Sequence, residues 1–318
     1  MQKTEIKIYQ LLTERWNHLK ALLMPKQNQC YRLLHDLKYG FQADIYGQTL
    51  WIYWYKNSSP KDADVLEISN FAEEHNLQYV IRHMINRGTG VGGKENLDLI
   101  KSNQQPDQWI AAEIQIQFQL RTNAGFSPGL FLDQCNNRKW VLENSNNKKI
   151  LNLFSYTSGF SVAAAIGKAN SVTTVDASSN FLNWSKENFT LNNLEPENYE
   201  FFVQDSILFL AGSEKRNRKW DLIICDPPSF GRTKTTLWRI EKDLPDLILK
   251  MWSCLEIAGQ IMFTCNYEQW TLLDLEIVFK KTLPAGNFSI TPLPKKTIDF
   301  ELSESTQNLT KGFILTKL

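Results

Sequence analysis

Residues 150–160 read Ile-Leu-Asn-Leu-Phe-Ser-Tyr-Thr-Ser-Gly-Phe. The apolar run from Ile150 to Phe154 is followed by small hydroxylated residues and a single glycine, Gly159, and then by the alanine-rich run from Val162 to Ile166. This order predicts a buried strand, a tight turn and a helix. In an open α/β sheet such a turn lies at the carboxyl end of a parallel strand, where ligands bind and where the next helix presents free backbone N–H groups. A nucleotide-like cofactor is therefore the expected ligand.

The glycine content of this turn limits the choice of cofactor. Enzymes that bind dinucleotides use the pattern G-x-G-x-x-G, which lets the backbone contact a pyrophosphate. Here Gly159 stands alone among larger residues, so a pyrophosphate is not expected. S-adenosylmethionine has a ribose, a sulfonium and an amino-acid tail but no phosphate, and it suits a wider turn that offers hydroxyls and carbonyls. A turn with a purely structural role is the alternative at this point.

Further along the chain, three apolar runs are followed by acidic residues. The run from Ser171 to Val175 precedes Asp176, about 20 residues beyond the turn, which is the spacing at which an acid accepts hydrogen bonds from ribose hydroxyls. The next run ends before Asp205, where a carboxylate would meet the adenine amino group. The last run ends before Asp226-Pro-Pro-Ser-Phe. Packing alone does not explain why successive strands end in acids, so the pattern favours a ligand site.

These motifs resemble those of a known enzyme family. Residues 151–160, Val-Asp-Ala-Ser at 175–178 and Cys-Asp-Pro-Pro-Ser-Phe at 225–230 are similar to the cofactor and substrate motifs of class I S-adenosylmethionine-dependent methyltransferases. More narrowly, the chain resembles the bacterial 23S rRNA large-subunit methyltransferases that modify cytosine at C5 or guanine at N7. Residues 129–138 are similar to that family's Thr-Gly-x-x-Leu-Asp-Gln-Arg segment, and the resemblance runs from about Tyr31 to the end of the chain.

The resemblance implies an α/β fold with a Rossmann-like class I sheet. This sheet is expected to be mostly parallel, with seven strands and an antiparallel terminal hairpin, beside a small N-terminal α+β domain. The implied cofactor is S-adenosyl-L-methionine. The implied cofactor-binding residues are Phe154, Ser155, Thr157, Gly159, Asp176, Ser178, Asp205, Ser206, Asp133, Gln134 and Arg138. Asp226 and Pro227 are implied to hold the target base. The chain departs from the family at Ser127-Pro128, where Lys-Thr is usual, and at Cys135, where arginine is usual.

The hydrophobic pattern and the resemblance together imply four parts of the chain. Residues 1–30 are predicted as an N-terminal helix, 31–120 as a small α+β domain that contacts RNA, 121–148 as a connecting segment near the cofactor, and 149–318 as the methyltransferase domain. The elements predicted within the second and fourth parts are a turn at 43–47, an aromatic strand at 50–55, a helix at 68–86, a flexible loop at 88–93, one strand at 111–120, a strand at 259–264, a helix at 267–281 and terminal strands at 288–291 and 312–317. The aromatic strand would either stack RNA bases or pack within its sheet.

Composition and charge exclude several other classes of protein. Of the 318 residues, 42% are apolar and 22% are charged, as in ordinary globular proteins. The formal net charge is only +1, so an RNA surface has to be local, with basic clusters at 215–219 and 232–234 as candidates. Five cysteines form no C-x-x-C pair, which argues against a zinc site and favours a reducing cytosol. No stretch approaches ~18 apolar residues, so neither export nor membrane insertion is expected.

The expected partner is ribosomal RNA or a precursor of the large ribosomal subunit, without a metal ion or a membrane. The resembling family often carries an additional N-terminal RNA-binding module of the PUA type, for which we expect no room before Tyr31. A monomer and a homodimer are both compatible with the sequence.

The chemistry of the target base depends on a cysteine. Methyl transfer from a sulfonium is an in-line displacement in which the protein mainly positions the nucleophile and excludes water. Guanine nitrogens are nucleophilic enough for this reaction, whereas cytosine C5 needs a thiolate that adds to C6. Cys265, in Phe263-Thr-Cys-Asn266, resembles the signature in which pyrimidine C5 methyltransferases keep that nucleophile. Methylation of cytosine C5 through Cys265 is therefore predicted. Methylation of guanine N7 or N2, and a non-catalytic RNA-binding protein with this fold, are the alternatives.

Overall fold

The computed structural model describes residues 7–23, 28–35, 37–84, 99–125, 127–232, 237–301 and 310–318. Two compact units divide the chain: the first unit contains Met1–Leu132 and Lys296–Thr306, and the second unit contains Asp133–Lys295 and Gln307–Leu318. The predicted loop at 88–93 and the side chains of the predicted basic cluster at 232–234 lie outside the described residues.

The first unit combines helices with a mixed sheet. Its elements in chain order are α1 (Ile8–Leu23), β1 (Cys30–Leu34), β2 (Phe41–Tyr46), β3 (Thr49–Trp54), α2 (Asp62–Glu74), β4 (Gln78–His83), β5 (Leu99–Lys101), β6 (Gln108–Glu113) and β7 (Ile116–Arg121). Among the described residues, β1 to β5 form one sheet in that order and β6 pairs with β7. Helix α1 buries an apolar stripe that packs in one core with residues of β1, β2 and β3.

The aromatic strand predicted at 50–55 is β3. Its aromatic side chains are buried, with Trp51 0% exposed, Tyr53 4% and Trp54 1%. The ring of Trp51 stacks on Trp109, with 6.2 Å between the ring centroids. Packing inside the first unit therefore accounts for these rings, which are buried and offer no exposed face for an RNA base to stack on.

Three sequence predictions in the first unit are wrong. The helix predicted at 68–86 ends at Glu74, because Asn76 adopts a positive φ of 54° and the residues that follow form the buried strand β4. The strand predicted at 111–120 is the hairpin of β6 and β7, whose turn has Ile114 at φ 59°. The turn predicted at 43–47 begins only at Gly47, since residues 43–46 belong to β2.

The second unit contains the predicted seven-stranded sheet. Its elements are α3 (Cys135–Asn144), β8 (Lys149–Leu153), α4 (Gly159–Ile166), β9 (Ser171–Asp176), α5 (Ser179–Leu191), β10 (Glu200–Val203), α6 (Ser206–Lys215), β11 (Trp220–Cys225), β12 (Phe230–Arg232), β13 (Leu237–Arg239), α7 (Ile240–Ser253), β14 (Leu255–Cys265), α8 (Leu272–Thr282), β15 (Phe288–Pro292) and β16 (Lys311–Lys317). Helix α9 (Ile298–Glu301) belongs to the first unit.

The strand order of this sheet is β10-β9-β8-β11-β14-β16-β15 among the described residues. The first five strands in that order pair in parallel, and β16 pairs antiparallel with both β14 and β15. The prediction of a mostly parallel sheet with an antiparallel terminal hairpin is confirmed. The chain proceeds outward from β8 to β9 and β10 and then returns to β11 on the other side. The carboxyl ends of β8 and β11 therefore flank the point where ligands bind in such sheets.

The helix predicted at 267–281 starts later, at Leu272. Thr271 is its N-cap, because its hydroxyl accepts a hydrogen bond from the backbone N–H of Asp274, at 3.1 Å, and the Asp274 carboxylate accepts one from the backbone N–H of Thr271. Residues 267–270 are therefore a loop that follows β14 directly. No helix in the described part of the chain is both long and apolar enough to span a bilayer.

Candidate active site

The turn after β8 has an unusual backbone. Phe154, Tyr156 and Ser158 have positive φ angles of 52°, 50° and 67°, whereas Gly159 is the first residue of α4 and has no positive φ. Non-glycine residues in this region cost about 1–3 kcal/mol each and occur where the surrounding structure holds them. Such strain is typical of functional sites, and here it lies at the carboxyl end of β8.

Helix α5 holds the strained turn in place. The side-chain amide of Asn188 donates to the backbone carbonyl of Thr157 at 2.9 Å. The hydroxyl of Ser185 lies 3.2 Å from the carbonyl of Tyr156 and 2.6 Å from the hydroxyl of Ser158. Neither Ser185 nor Asn188 was recognised from the sequence. The sequence feature that could have identified them is their spacing: they lie three residues apart, on the same face of α5 as the apolar residues that this helix buries.

Asp176 connects the end of β9 to the same turn. One of its carboxylate oxygens accepts a hydrogen bond from the backbone N–H of Tyr156, at 2.9 Å, and the other accepts one from the N–H of Ser178, at 2.8 Å. Burial raises the pKa of this carboxyl, and the two backbone donors oppose that shift. Each carboxylate oxygen can accept more than one hydrogen bond. The carboxylate can therefore organise the turn and also accept from ribose hydroxyls.

The other predicted cofactor residues occupy neighbouring helix starts. Asp205 caps α6, since one carboxylate oxygen accepts from the N–H groups of Ile207 and Leu208, at 2.9 and 3.1 Å. Ser178 caps α5, and the hydroxyl of Ser206 accepts from the backbone N–H of Phe154, at 3.3 Å. All of them lie at the carboxyl edge of the sheet. Their contacts to a cofactor stay predictions.

One buried group of the turn points to a ligand. The hydroxyl oxygen of Ser155 is buried and has no hydrogen-bond partner within the described part of the chain. An unpaired buried hydroxyl costs about 1–3 kcal/mol, so such groups usually have a partner. S-adenosylmethionine fits this position, because its ribose and amino-acid tail bring polar atoms and no phosphate to the turn. The described residues contain no cluster of His, Cys, Asp or Glu that would hold a metal ion.

A second cluster lies where β11 and β14 end. The side-chain amide nitrogen of Gln134 donates to the carboxylate of Asp226 at 3.0 Å and to the hydroxyl of Thr264 at 3.3 Å. Pro227 is buried, and the carbonyl of Pro228 accepts from the indole N–H of Trp238 at 2.6 Å. The substrate motif and the strained turn follow adjacent parallel strands, since Cys225 at the end of β11 pairs with Leu153 at the end of β8.

The resemblance implied three cofactor-binding residues in the segment before β8, namely Asp133, Gln134 and Arg138. Each of them contacts a different part of the second unit. Gln134 contacts the ends of β11 and β14, as described above. The carboxylate of Asp133 accepts from the backbone N–H of Thr310 at 3.1 Å and from the hydroxyl of the same residue. The guanidinium of Arg138 lies over the ring of Phe160, near the start of α4, with 5.9 Å to the ring centroid. Arg138 thus contacts the helix that follows the turn.

Cys265 is the last residue of β14 and is 0% exposed. Its side chain belongs to the same apolar core as that of Phe263, together with buried residues of α6, α7 and α8. Burial raises the pKa of the Cys265 thiol; a hydrogen bond from the backbone N–H of Tyr267 and the charge of Lys311 oppose the shift, and the charge of Asp226 adds to it. The thiol is therefore neutral near pH 7, and its role as a nucleophile stays a prediction.

The predicted basic cluster at 215–219 lies before β11, at the edge of the sheet opposite the candidate site. Arg218 pairs with Glu200 at 2.6 Å, and the amino group of Lys219 donates to a backbone carbonyl at the end of α7. Lys215 and Arg216 are exposed. Arg218 and Lys219 therefore make contacts within the folded chain. Contact of Lys215 and Arg216 with RNA stays a prediction.

Comparison with known proteins identifies similar chains. Residues 96–270 match a family described as S-adenosylmethionine-dependent methyltransferase. The ribosomal RNA large subunit methyltransferase K/L of Pseudoalteromonas atlantica is 32% identical over 291 residues, which are 86% of this chain and 41% of that protein. The protein of the same name from Shewanella oneidensis is 35% identical over 196 residues, or 61% of this chain and 27% of that protein. This chain therefore spans less than half the length of these curated relatives.

Solved structures give the same result for the fold. A protein described as a methyltransferase and crystallised with SAH has a TM-score of 0.83 and 26% identity, and the match covers 97% of this chain and 80% of that one. A protein from Streptococcus mutans has a TM-score of 0.84 and 24% identity, with the same coverage. The predicted fold and the predicted cofactor are confirmed by these matches.

Proposed function

Because the chain belongs to the S-adenosylmethionine-dependent methyltransferase family, we propose that it transfers the methyl group of this cofactor to a base of large-subunit ribosomal RNA. The observation that carries the proposal is the pairing of two features at the point where the strand order reverses: the strained turn after β8 and the Asp226 cluster after β11. The names of the K/L relatives, at 32% and 35% identity, support ribosomal RNA as the substrate.

Residues of the turn would hold the cofactor. The carboxylate of Asp176 accepts hydrogen bonds from the ribose hydroxyls, and the unpartnered hydroxyl of Ser155 takes a polar partner from the ligand. Asp205 lies at the end of the next strand, within the edge where the adenine amino group would bind. The bound cofactor supplies an electrophilic methyl group on a sulfonium.

The Asp226 cluster would hold the target base. Pro227 and Pro228 have no backbone N–H, so this turn offers carbonyl and carboxylate acceptors rather than donors. Guanine presents N–H donors at N1 and N2, and a carboxylate is the acceptor that pairs with them. The chain's contribution to the reaction is then to fix the base in line with the methyl group and to exclude water.

A guanine nitrogen fits this site better than cytosine C5. The cytosine route requires a thiolate that reaches C6 of the base, whereas Cys265 is fully buried and its thiol pKa is raised by that burial. Direct transfer to a nitrogen needs no thiolate. One observation favours the cytosine route as the second candidate: Cys265 ends β14, beside the Asp226 cluster, and its sulfur accepts a hydrogen bond from the N–H of Tyr267.

The substrate test uses tritiated S-adenosylmethionine and large-subunit ribosomal RNA from a strain that lacks this gene. The wild-type protein is expected to label the RNA, and the labelled nucleoside identified after digestion is expected to be a methylated guanosine. Unlabelled RNA together with unimpaired RNA binding would instead indicate a non-catalytic RNA-binding protein.

The cysteine test separates the two routes. Cys265→Ala is expected to keep at least about half of the wild-type kcat, because direct transfer to nitrogen does not use the thiol. Cys254→Ala is the matched control, since Cys254 is also 0% exposed but lies at the end of α7. If Cys265→Ala abolishes turnover while Cys254→Ala does not, and if the wild type forms a covalent adduct with RNA containing 5-fluorocytosine, the cytosine route is correct.

A further inference from the structure

Two of the three strand-end aspartates are held by their own backbone. Asp176 accepts from the N–H of Ser178, two residues later. Asp205 accepts from the N–H of Ile207, also two residues later, at 2.9 Å. This local hydrogen bond is the usual way in which an aspartate at the end of a strand or the start of a helix is oriented.

Asp226 has no access to this local hydrogen bond. The two residues that follow it are Pro227 and Pro228, and proline has no backbone N–H. A donor to this carboxylate comes instead from a distant part of the chain. The side-chain amide of Gln134, 92 residues earlier in the chain, supplies one at 3.0 Å.

The amide of Gln134 has a fixed orientation. Its oxygen accepts from the amide nitrogen of Asn137 at 2.6 Å, and its nitrogen donates to Asp226 and, at 3.3 Å, to Thr264. The flipped amide would bring two donors together at Asn137 and two acceptors together at Asp226. Gln134 and Asn137 are 2% and 3% exposed, so water does not compete for these bonds.

We propose that Gln134 is a positioning residue that fixes the carboxylate of Asp226 for the target base, and that Asn137 in turn fixes Gln134. The inference rests on the proposed function of Asp226. It moves Gln134 from the cofactor, where the resemblance put it, to the substrate side of the site. The double proline removes the local donor that Asp176 and Asp205 use, and Gln134 donates to Asp226 from a distant part of the chain.

The test is a set of variants assayed by single-turnover methyl transfer to the ribosomal RNA described above. Gln134→Glu keeps the size of the side chain but replaces the donor by an acceptor, and Gln134→Ala removes the side chain. Both are expected to lower the rate constant about 10- to 100-fold, the effect of misplacing a group that orients a substrate. The KM for RNA is expected to change less than about twofold, since phosphate contacts dominate RNA affinity.

Two controls separate positioning from general damage. Asn136→Ala removes a neighbouring amide of α3, which donates to the carbonyl of Lys295 at 2.8 Å, and is expected to keep the wild-type rate. Cofactor affinity measured by calorimetry is expected to be unchanged in Gln134→Glu and Gln134→Ala, which also shows that these variants are folded.

A double variant decides whether Gln134 acts through Asp226. If it does, Gln134→Ala adds little to the loss caused by Asp226→Ala, because no carboxylate remains to be positioned. Losses that multiply in the double variant, or a weakened cofactor affinity in Gln134→Glu, overturn the inference while leaving the proposed function intact. A wild-type protein that labels no RNA overturns the proposed function and this inference with it.

Discussion

Replacing Asp176 tests how the cofactor turn is organised. The carboxylate accepts hydrogen bonds from the backbone N–H groups of Tyr156 and Ser178, at 2.9 and 2.8 Å, and Tyr156 is one of the residues with positive φ. Asp176→Ala leaves both donors without their acceptor, and the ribose loses its partner as well. We therefore expect the change to weaken cofactor binding more than the loss of a single hydrogen bond would.

The magnitude follows from the number of bonds. Hydrogen bonds to a charged group contribute about 1.5–3 kcal/mol each, so the two bonds that the ribose hydroxyls would make to Asp176 correspond to about 3–6 kcal/mol of binding free energy. Burial of the ionised carboxylate offsets part of this, as the raised pKa of Asp176 shows. The lower end, about 3 kcal/mol, is the expected loss in binding free energy, which is about a 150-fold increase in the Kd for S-adenosylmethionine.

Isothermal titration calorimetry measures this change directly. Asp221→Ala is the matched control, because the Asp221 carboxylate also accepts from a backbone N–H, that of Lys149 at 2.7 Å, but at the opposite edge of the same sheet. The control is expected to keep the wild-type Kd. If Asp176→Ala binds the cofactor as tightly as the wild type does, the assignment of Asp176 to the ribose is refuted.

The pH dependence of Asp176 has opposite signs for stability and for binding. Burial raises its pKa in the folded protein above the ordinary value of 3.8. Its contribution to folding stability is therefore full below pH 3.8 and is lost as the pH rises through the raised pKa. Ribose binding uses the ionised form, so cofactor affinity is expected to fall as the pH drops through the same raised pKa. Calorimetry at a series of pH values should place this midpoint above 3.8, and a pH-independent Kd down to that value would contradict it.

The remaining predictions concern the supports of the site. Asn188→Ala removes the donor to the buried carbonyl of Thr157 and is expected to destabilise the protein by about 1–3 kcal/mol, measured by urea unfolding, and to weaken cofactor binding; an unchanged unfolding midpoint would contradict this. Lys311→Ala removes the amino group that donates to two backbone carbonyls of the loop 267–270. It is expected to lower methyl transfer several-fold while the Kd for the cofactor stays the same, and equal losses in both would indicate general unfolding.

The sequence located the candidate site because its signals are local. Each apolar run and the acid that follows it lie within a few residues of one another, and parallel strands bring their carboxyl ends to one edge. The backbone conformation of the turn after β8 could not be predicted from the sequence. The turn contains a single glycine, Gly159, yet Phe154, Tyr156 and Ser158 are the residues with positive φ angles. These are held by side chains of α5 at sequence separations of 29 and 31 residues, which no local pattern reveals.

The errors in the first unit have a similar physical origin. The alternation of apolar and polar residues at 113–120 continues across the turn, because the exposed turn residue Ile114 is apolar whereas the buried Glu113 at the end of β6 is polar. The turn itself uses Ile114 at a positive φ, a residue type that rarely adopts this conformation. Without a glycine, proline or asparagine to mark it, the pattern predicts one strand instead of two.

The sequence of Phe263-Thr-Cys-Asn266 does not decide between the cytosine route and the guanine route, because the pleat of β14 determines which of its side chains face the core. Adjacent residues of a strand point to opposite faces, so Thr264 and Cys265 cannot both face the cleft. The hydroxyl of Thr264 accepts from Gln134, which also holds Asp226, whereas Cys265 lies in the core with Phe263. A shift of one residue in the end of the strand would exchange the two side chains. Our preference for the guanine route in the proposed function therefore rests on the burial of Cys265, which follows from the register of β14 with β11, in which Cys225 pairs with Phe263.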